Sequence, residues 1–209
     1  QGSILPSANG LVLPFEAVNL NSVDVTVFRI FEKNILQFLQ VNSIGDRREL
    51  YRVGKRVTRK KIALDKSGVT DFNKWNRYTL DLSEIIQPEP GAIYQVQVSF
   101  RKQYASLPCI AADEDTQEFP QYETEPDPSV YYDGYYDDDY YYYYDDYDWR
   151  ERNNPCHQSY YTQDRFISKN LLASDFGLTA KRGDDGRTLA FITDLSDANP
   201  AGGVTVELY

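Results

Sequence analysis

Residues 92–101, AIYQVQVSFR, form the clearest strand pattern in the sequence and decide its fold class. Apolar and polar residues alternate here, which is typical of an antiparallel strand with one buried and one solvated face. We expect the inward face to carry Tyr94, Val96, Val98 and Phe100, and the outward face to carry Gln95, Gln97, Ser99 and Arg101.

The same two-residue period recurs in short segments along the chain. In SVDVTVFRIF (22–31), every second residue from Val23 to Val27 is a valine. The apolar phase then shifts to Phe28 and Ile30, which predicts a bulge or a strand that leaves the sheet. Turn residues separate the segments, as in antiparallel sandwiches. Further strands are predicted at 11–18, 48–64, 76–82, 165–172, 176–182, 187–195 and 204–209.

One segment has the period of a helix. In EKNILQFLQV (32–41), Ile35, Leu36, Phe38 and Leu39 follow the i, i+3, i+4 spacing, and Asn34 is a candidate N-cap. A helix this short is stable only through packing. The sequence therefore predicts an all-β fold, an antiparallel β-sandwich, with one short helix.

The net charge of −10 is unevenly distributed. Residues 109–149, here called the acidic segment, contain 14 Asp or Glu and no Lys or Arg. Residues 1–108 contain 15 Lys or Arg and 10 Asp or Glu. The acidity is therefore local, and we expect no nucleic-acid partner.

No catalytic motif is recognisable. The sequence has one histidine and lacks the G-x-S-x-G, P-loop and H-E-x-x-H patterns. His157 follows Cys156 directly, but adjacent residues rarely aim at one site, and no third ligand accompanies them. We expect no catalytic residue, no cofactor and no metal site.

Several segments resemble the macroglobulin (MG) domains of the bacterial α2-macroglobulin family. The first such domain is matched by NGLVLPFEAVNLNSVDVTVFRIF (9–31), ILQFLQ (35–40), RYTLDLSEII (77–86) and PGAIYQVQVSF (90–100). The stretch ASDFGLTAKRGDDGRTLAFITDLSDANPAGGVTVELY (173–209) resembles the start of the family's next MG domain. The resemblance implies a fibronectin-like β-sandwich and a piece of a larger protein. The sequence has no methionine, even at position 1, so we expect it to begin inside a longer reading frame or after processing.

The resemblance also implies a function. It predicts a structural scaffold domain of an α2-macroglobulin-like endopeptidase inhibitor that traps proteases in the cell envelope. The expected partners are other domains of the same larger chain and, through the parent inhibitor, proteases. The expected location is extracytoplasmic, in the periplasm or outer envelope, and any membrane anchor would belong to other parts of the parent. The alternative is a cell-surface adhesion or ligand-binding module.

The two cysteines depart from the family's thioester motif. Ile-Ala-Ala follows Cys109 and His-Gln-Ser follows Cys156, so neither matches the CxEQ pattern. Given the extracytoplasmic resemblance, we expect a disulfide between them, with two free thiols as the alternative. Such a disulfide would remove about 4 kcal/mol of unfolded-chain entropy on a loop-closure model.

Three regions are predicted along the chain. Residues 1–108 form a macroglobulin-like sandwich, 109–162 form a Tyr/Asp-rich insertion closed by the cysteines, and 163–209 form the first strands of a second, incomplete sandwich. The stretch VYYDGYYDDDYYYYYDDYDW (130–149) has four interpretations: a solvated loop, a partner of the chain's own basic stretch, an exported binding surface or a calcium site. The candidate interaction surface consists of Tyr131, Tyr132, Tyr135, Tyr136, Asp137, Asp138, Asp139, Tyr140 and Trp149.

The basic stretch RRELYRVGKRVTRKK (47–61) is complementary to the acidic segment in charge. Its alternation indicates a strand with a charged solvent face. Exposed charge and cation–π contacts contribute only about 0.5–1 kcal/mol each. The candidate intramolecular partners are Arg52, Lys55, Arg56, Arg59, Lys60 and Lys61.

Overall fold

A computed structural model describes residues 4–5, 11–41, 50–65, 68–69, 71–109, 147–161 and 165–207. Within these ranges the chain forms nine strands and two short α-helices. In chain order they are β1 (Ile4–Leu5), β2 (Val12–Ala17), β3 (Ser22–Ile30), α1 (Ile35–Val41), α2 (Leu50–Val53), β4 (Gly54–Ala63), β5 (Asn76–Asp81), β6 (Ile93–Ser99), β7 (Phe166–Ala173), β8 (Phe176–Arg182) and β9 (Thr188–Asp194).

Two sheets enclose the main core. One has five strands in the order β1-β7-β6-β3-β4, and the other pairs β2 with β5. All neighbours are antiparallel except β1 and β7, which are parallel. Side chains from both sheets meet in one buried cluster, including Phe15 of β2, Tyr78 of β5 and Val25 of β3. This arrangement confirms the predicted antiparallel β-sandwich.

The predicted irregularity in β3 is present, although the extra residue lies on its neighbour. The pairing of β3 with β4 shifts register between Val27 and Phe28, because Val57 of β4 has no partner there. The pairing of β3 with β6 continues unbroken through the same point. The apolar phase changes because Ile30 packs on the opposite face of the sheet, against Phe38 of α1.

Helix α1 follows a 3₁₀ turn at Glu32–Asn34, so the predicted helix is present but shorter. Of its predicted apolar stripe, Phe38 is fully buried, whereas Leu36 and Leu39 are exposed. The side chain of Asn34, the residue before the helix, donates a hydrogen bond to the Val53 carbonyl at 3.1 Å. This bond ties α1 to α2.

The structure corrects the predicted position of β7. The sequence assigned this strand to a second sandwich, but β7 pairs with β6 along its length, and Leu171 is buried in the main core. The acidic segment therefore leaves after β6 and returns before β7 of the same sheet. It is an insertion within the first sandwich and does not separate two sandwiches. The boundary predicted between residues 108 and 109 remains a prediction.

Gln95 and residues 204–207 also differ from expectation. Gln95 was predicted on a solvated face but is completely buried. Its side-chain amide donates a hydrogen bond to Asn170 Oδ1 of β7 at 2.9 Å and accepts one from Gln97 Nε2 at 2.8 Å. The cluster that contains Ile30 and Ile93 lies on the same face of the sheet.

Residues 204–207 form no strand, and the antiparallel bridge near them joins Thr193 to Pro200.

The last two strands form a separate hairpin. Strands β8 and β9 pair in full register around the turn at 183–186, where Gly186 has a φ of 80°. A positive φ of this size favours glycine. The hairpin confirms the two predicted strands, and most of its side chains are exposed.

Candidate interaction surfaces

A buried carboxylate organises one end of the five-stranded sheet. Asp24 is 3 % exposed and lies on the face opposite the valine core. Its Oδ2 accepts from Arg101 Nε at 2.5 Å and lies 3.6 Å from Arg59 Nη2, while its Oδ1 accepts from the Tyr104 hydroxyl at 2.9 Å. A buried carboxylate is tolerated only with such partners. The sequence analysis missed this network; its available signal was a single Asp within a run of alternating valines.

Tyr104 carries a second interaction in the same network. Burial, and next the negative charge of Asp24, raise the pKa of Tyr104 to about 12. Lys61 Nζ lies 4.9 Å from the centre of the Tyr104 ring, so a cationic side chain of β4 contacts the aromatic face. The predicted basic strand is thus held to the residues that follow β6.

The chain from Tyr104 to the first cysteine is fixed by backbone hydrogen bonds. Asn21 donates to the Tyr104 carbonyl and Ser106 donates to the Asn19 carbonyl, each at 2.8 Å. Cys109 then forms a disulfide with Cys156, with the two Cα atoms 5.6 Å apart. The predicted disulfide is therefore present, and it joins the first residue of the acidic segment to Cys156, which lies beyond the segment's last residue.

Residues 147–161 pack as a small unit around local caps. The backbone N–H of Asp148 donates to Ser159 Oγ at 2.8 Å, and the Asp148 carboxylate accepts from Arg150 N at 2.8 Å. His157 Nδ1 accepts from Ser159 N at 3.2 Å, so this histidine caps a 3₁₀ turn. These bonds give the returning chain a defined shape.

Aromatic rings attach this unit to the sandwich. Tyr161 lies edge-on to Phe100, with ring centres 5.8 Å apart, and to Tyr160 at 5.1 Å. The Tyr161 hydroxyl donates to the Pro155 carbonyl at 2.6 Å. Burial, with a smaller contribution from Tyr160, raises the pKa of Tyr161 to about 12. The rings hold the disulfide-bonded end against the end of β6.

A groove of about 510 Å³ opens beside these rings. Its base includes Val23 and Val98, which belong to the core, and its rim includes Trp75, which is 71 % exposed. Arg165 is at the wall, 4.1 Å over the Tyr160 ring, and donates to the Arg152 carbonyl at 2.7 Å. The groove is therefore largely apolar, and the disulfide-bonded unit supplies one side.

The predicted interaction residues divide between described and undescribed positions. Trp149 is 65 % exposed, and the Arg152 guanidinium lies 3.7 Å from its ring centre. The other predicted positions lie outside the described residues: Tyr131, Tyr132, Tyr135, Tyr136, Asp137, Asp138, Asp139 and Tyr140. Asp145 and Asp146, which the calcium interpretation of 130–149 combines with Asp137, Asp138 and Asp139, also lie outside them.

Five of the six predicted basic partners lie on β4. Lys60 and Lys61 are exposed, Lys55 and Arg56 are half-buried, and Arg59 bridges to Asp24. The backbone of Arg52 lies in α2, and its side chain is outside the described set. The predicted strand is confirmed over Gly54–Ala63, whereas Leu50–Val53, predicted as part of the strand, forms the second helix α2.

The described part of the chain contains no group of three or more His, Cys, Asp or Glu that could hold a metal ion. None of the helices in that part is both long and apolar enough to cross a membrane.

These features together define an antiparallel β-sandwich with a disulfide. Residues 1–98 match the family model of the bacterial alpha-2 macroglobulin MG2 domain. The predicted resemblance to the bacterial alpha-2-macroglobulin family is thus confirmed for these residues. The match ends within β6, and β7, which pairs with β6, lies outside it.

Two solved structures of native alpha-2-macroglobulin from Escherichia coli are similar to the chain. The structure spanning domains NIE-MG1 shares 17 % identity, with a TM-score of 0.48, over 92 % of this chain and 64 % of its own. The structure spanning MG0-NIE-MG1 shares 16 % identity, with a TM-score of 0.45, over 91 % and 41 %. The chain thus spans less than two thirds of either. No curated protein matches the chain.

Proposed function

We propose that this chain is a structural scaffold unit of a bacterial alpha-2-macroglobulin-like inhibitor that traps endopeptidases in the cell envelope. The observation that carries the proposal is the match of residues 1–98 to the MG2 domain of that family. In this role the sandwich catalyses nothing itself. It holds neighbouring domains of the parent chain in place, and proteases are met by the parent inhibitor.

The exposed hairpin supports a role within a larger assembly. Phe176 and Leu178 lie on one face of the hairpin, and Leu189 and Phe191 lie on the other; each is between 48 and 62 % exposed. Exposed large apolar side chains of this kind are suited to burial against other protein. Both faces of the hairpin therefore suit contact with further domains of the same chain.

The disulfide supports an extracytoplasmic location. Disulfides form and persist in the periplasm and outside the cell, whereas cytosolic thiols are kept reduced. The Cys109–Cys156 bond is therefore suited to the cell envelope. We propose the periplasm or outer envelope as the compartment.

A trapping assay tests the proposal. The full-length parent is incubated with an endopeptidase, and cleavage of a protein substrate is compared with cleavage of a small peptide. Entrapment is expected to suppress protein cleavage at least tenfold while peptide cleavage continues, because only small substrates reach a trapped protease. Val25→Asp, which places a charge in the core, is expected to abolish the effect. Thr179→Ser on the exposed hairpin serves as the matched control. Unchanged cleavage of both substrates at excess parent would refute the proposal.

A further inference from the structure

The disulfide joins two segments that both line the groove. Ala105 and Leu107 belong to the lining and lie just before Cys109 in the chain. Pro155 also belongs to the lining and directly precedes Cys156. Because the Cα atoms of the two cysteines are 5.6 Å apart, the bond fixes how closely these two parts of the lining approach each other.

The segment before Cys109 is held to the sandwich by its backbone. Ala105 forms an antiparallel bridge with Leu20, and the Ser106 N–H donates to the Asn19 carbonyl at 2.8 Å. Backbone hydrogen bonds of this kind do not require the disulfide. This part of the lining is therefore expected to keep its position when the bond is broken.

The segment around Cys156 depends more on the disulfide. Residues 147–161 contain two 3₁₀ turns of three residues each. Turns this short are marginal on their own. The Tyr161 ring packs on Phe100 at one end of the unit, and the disulfide attaches the unit again at Cys156. Since a covalent link removes conformational freedom from the chain around it, the bond helps to order this part of the lining.

The disulfide is accessible to a thiol in solution. Cys109 is exposed and Cys156 is half-buried. Exposed disulfides are in general the labile and regulatory ones, whereas structural disulfides of secreted proteins resist reduction. Since a thiolate attacks the sulfur that it can reach, the difference in exposure places the attack at Cys109 Sγ.

We propose that the Cys109–Cys156 bond is a reducible latch on the groove. A dithiol reductant opens the latch, and the 147–161 unit then loosens and no longer forms a defined side of the groove. In an oxidising compartment the bond forms, and the latch stays closed until such a reductant acts. The latch goes beyond the scaffold role, because it assigns a site of redox control. It does not depend on protease trapping, so either proposal can fail without the other.

The exchange balances in electrons and protons. One thiolate of the reductant forms a bond to Cys109 Sγ, the Cys109–Cys156 bond breaks, and Cys156 leaves as a thiolate that takes up a proton. The second thiol of the reductant then attacks the reductant sulfur bound to Cys109, which closes a cyclic disulfide and releases Cys109 as a thiol. Two electrons and two protons thus pass from the dithiol to the protein.

Reduction of the folded full chain by dithiothreitol tests access to the bond. Free thiols are alkylated at successive times and counted by mass spectrometry, with the chain unfolded in guanidinium chloride as the reference. Reduction of the folded chain is expected to be at most about tenfold slower than that of the unfolded chain, because the attacked sulfur is exposed. A larger protection would overturn the proposal, because the bond would then be inaccessible in the folded state.

Amide hydrogen exchange tests what the bond holds in place. With dithiothreitol, the amides of 147–161 are expected to exchange at least tenfold faster, whereas those of β3 stay protected over the same labelling times. The variant Cys109→Ser/Cys156→Ser lacks the bond, so it is expected to exchange like the reduced chain and not to respond to dithiothreitol. Unchanged exchange in 147–161 after reduction would overturn the latch. Loss of protection in β3 would overturn it too, because the whole sandwich would then require the bond.

Discussion

The Tyr104 hydroxyl donates a hydrogen bond to the Asp24 carboxylate at 2.9 Å, joining residues 80 positions apart in the sequence. The bond connects one end of the five-stranded sheet to the turn that precedes the acidic segment. Asp24 also pairs with Arg101, so three interactions converge on one buried acid. This network sets where the inserted chain begins.

Replacing Asp24 is expected to destabilise the fold. Asp24→Asn leaves two guanidinium groups without their carboxylate, and Arg101 is only 14 % exposed. Removing one partner of a buried ion pair costs about 3–5 kcal/mol, and the partial exposure of Arg59 favours the lower end. Urea denaturation measures the change. The control Asp71→Asn removes an exposed pair with Lys74 and is expected to have no measurable effect. A similar result for both variants would contradict a stabilising role for the network.

Alkaline pH is expected to weaken the fold through Tyr104 and Tyr161. Each has a pKa raised from 10 to about 12 in the folded state, because burial favours the neutral phenol. The unfolded chain therefore releases these protons first. The stabilisation is complete below pH 10 and is lost as the pH rises through 12. Each tyrosine contributes a slope of about 1.4 kcal/mol per pH unit within that window. Urea denaturation between pH 8 and 12 measures it.

The variant Tyr161→Phe is the control for the alkaline effect. It removes one ionisable phenol while keeping the ring that packs on Phe100. The slope above pH 10 is expected to fall by about half. An unchanged slope would show that other groups cause the alkaline unfolding.

Removing the disulfide is expected to lower stability without abolishing folding. Among the residues that the structure describes, Cys109 and 147–161 contribute nothing to the main buried cluster, so the core does not depend on this part of the insertion. Cys109→Ser/Cys156→Ser is expected to cost up to about 4 kcal/mol, the loop-closure value for this spacing. Differential scanning calorimetry is expected to show one cooperative transition at lower temperature. Loss of cooperative melting would place the insertion within the core.

A leucine pair tests the assignment of β7 to the first sandwich. Leu171 is 1 % exposed in the main core, and Leu189 on β9 is 62 % exposed. Leu171→Ala is expected to cost about 2–5 kcal/mol, because it leaves a cavity. Leu189→Ala is expected to change stability by less than about 0.5 kcal/mol. Chemical denaturation of both variants measures the difference, and equal effects would disagree with the strand order.

Much of the local structure could be predicted from the sequence. The alternation around Val25 and Val96 identified two central strands, and the apolar phase shift near Phe28 falls where the pairing of β3 with β4 changes register. Local periodicity carries this information because side chains alternate between faces of a strand. The pairing of Cys109 with Cys156 was expected from the family resemblance and the chain's two cysteines.

The remaining features depend on contacts between distant segments. The acidic segment separates β6 from β7 in sequence, so no local pattern indicates that they are neighbours. Gln95 looked solvent-facing because its burial depends on Asn170, which lies 75 residues away. The buried network around Asp24 was missed for the same reason, because its partners are distant in the sequence.

The sequence by itself determined the strand-forming segments, the local excess of acid and the two cysteines available for a disulfide. These properties follow from side-chain alternation, composition and residue identity. Only the tertiary structure decided that β7 joins the first sheet, that Asp24 is buried among cations and that Lys60 and Lys61 lie on opposite faces of β4. Each of these depends on which segments become neighbours, and that choice is made by the packing of the whole sandwich.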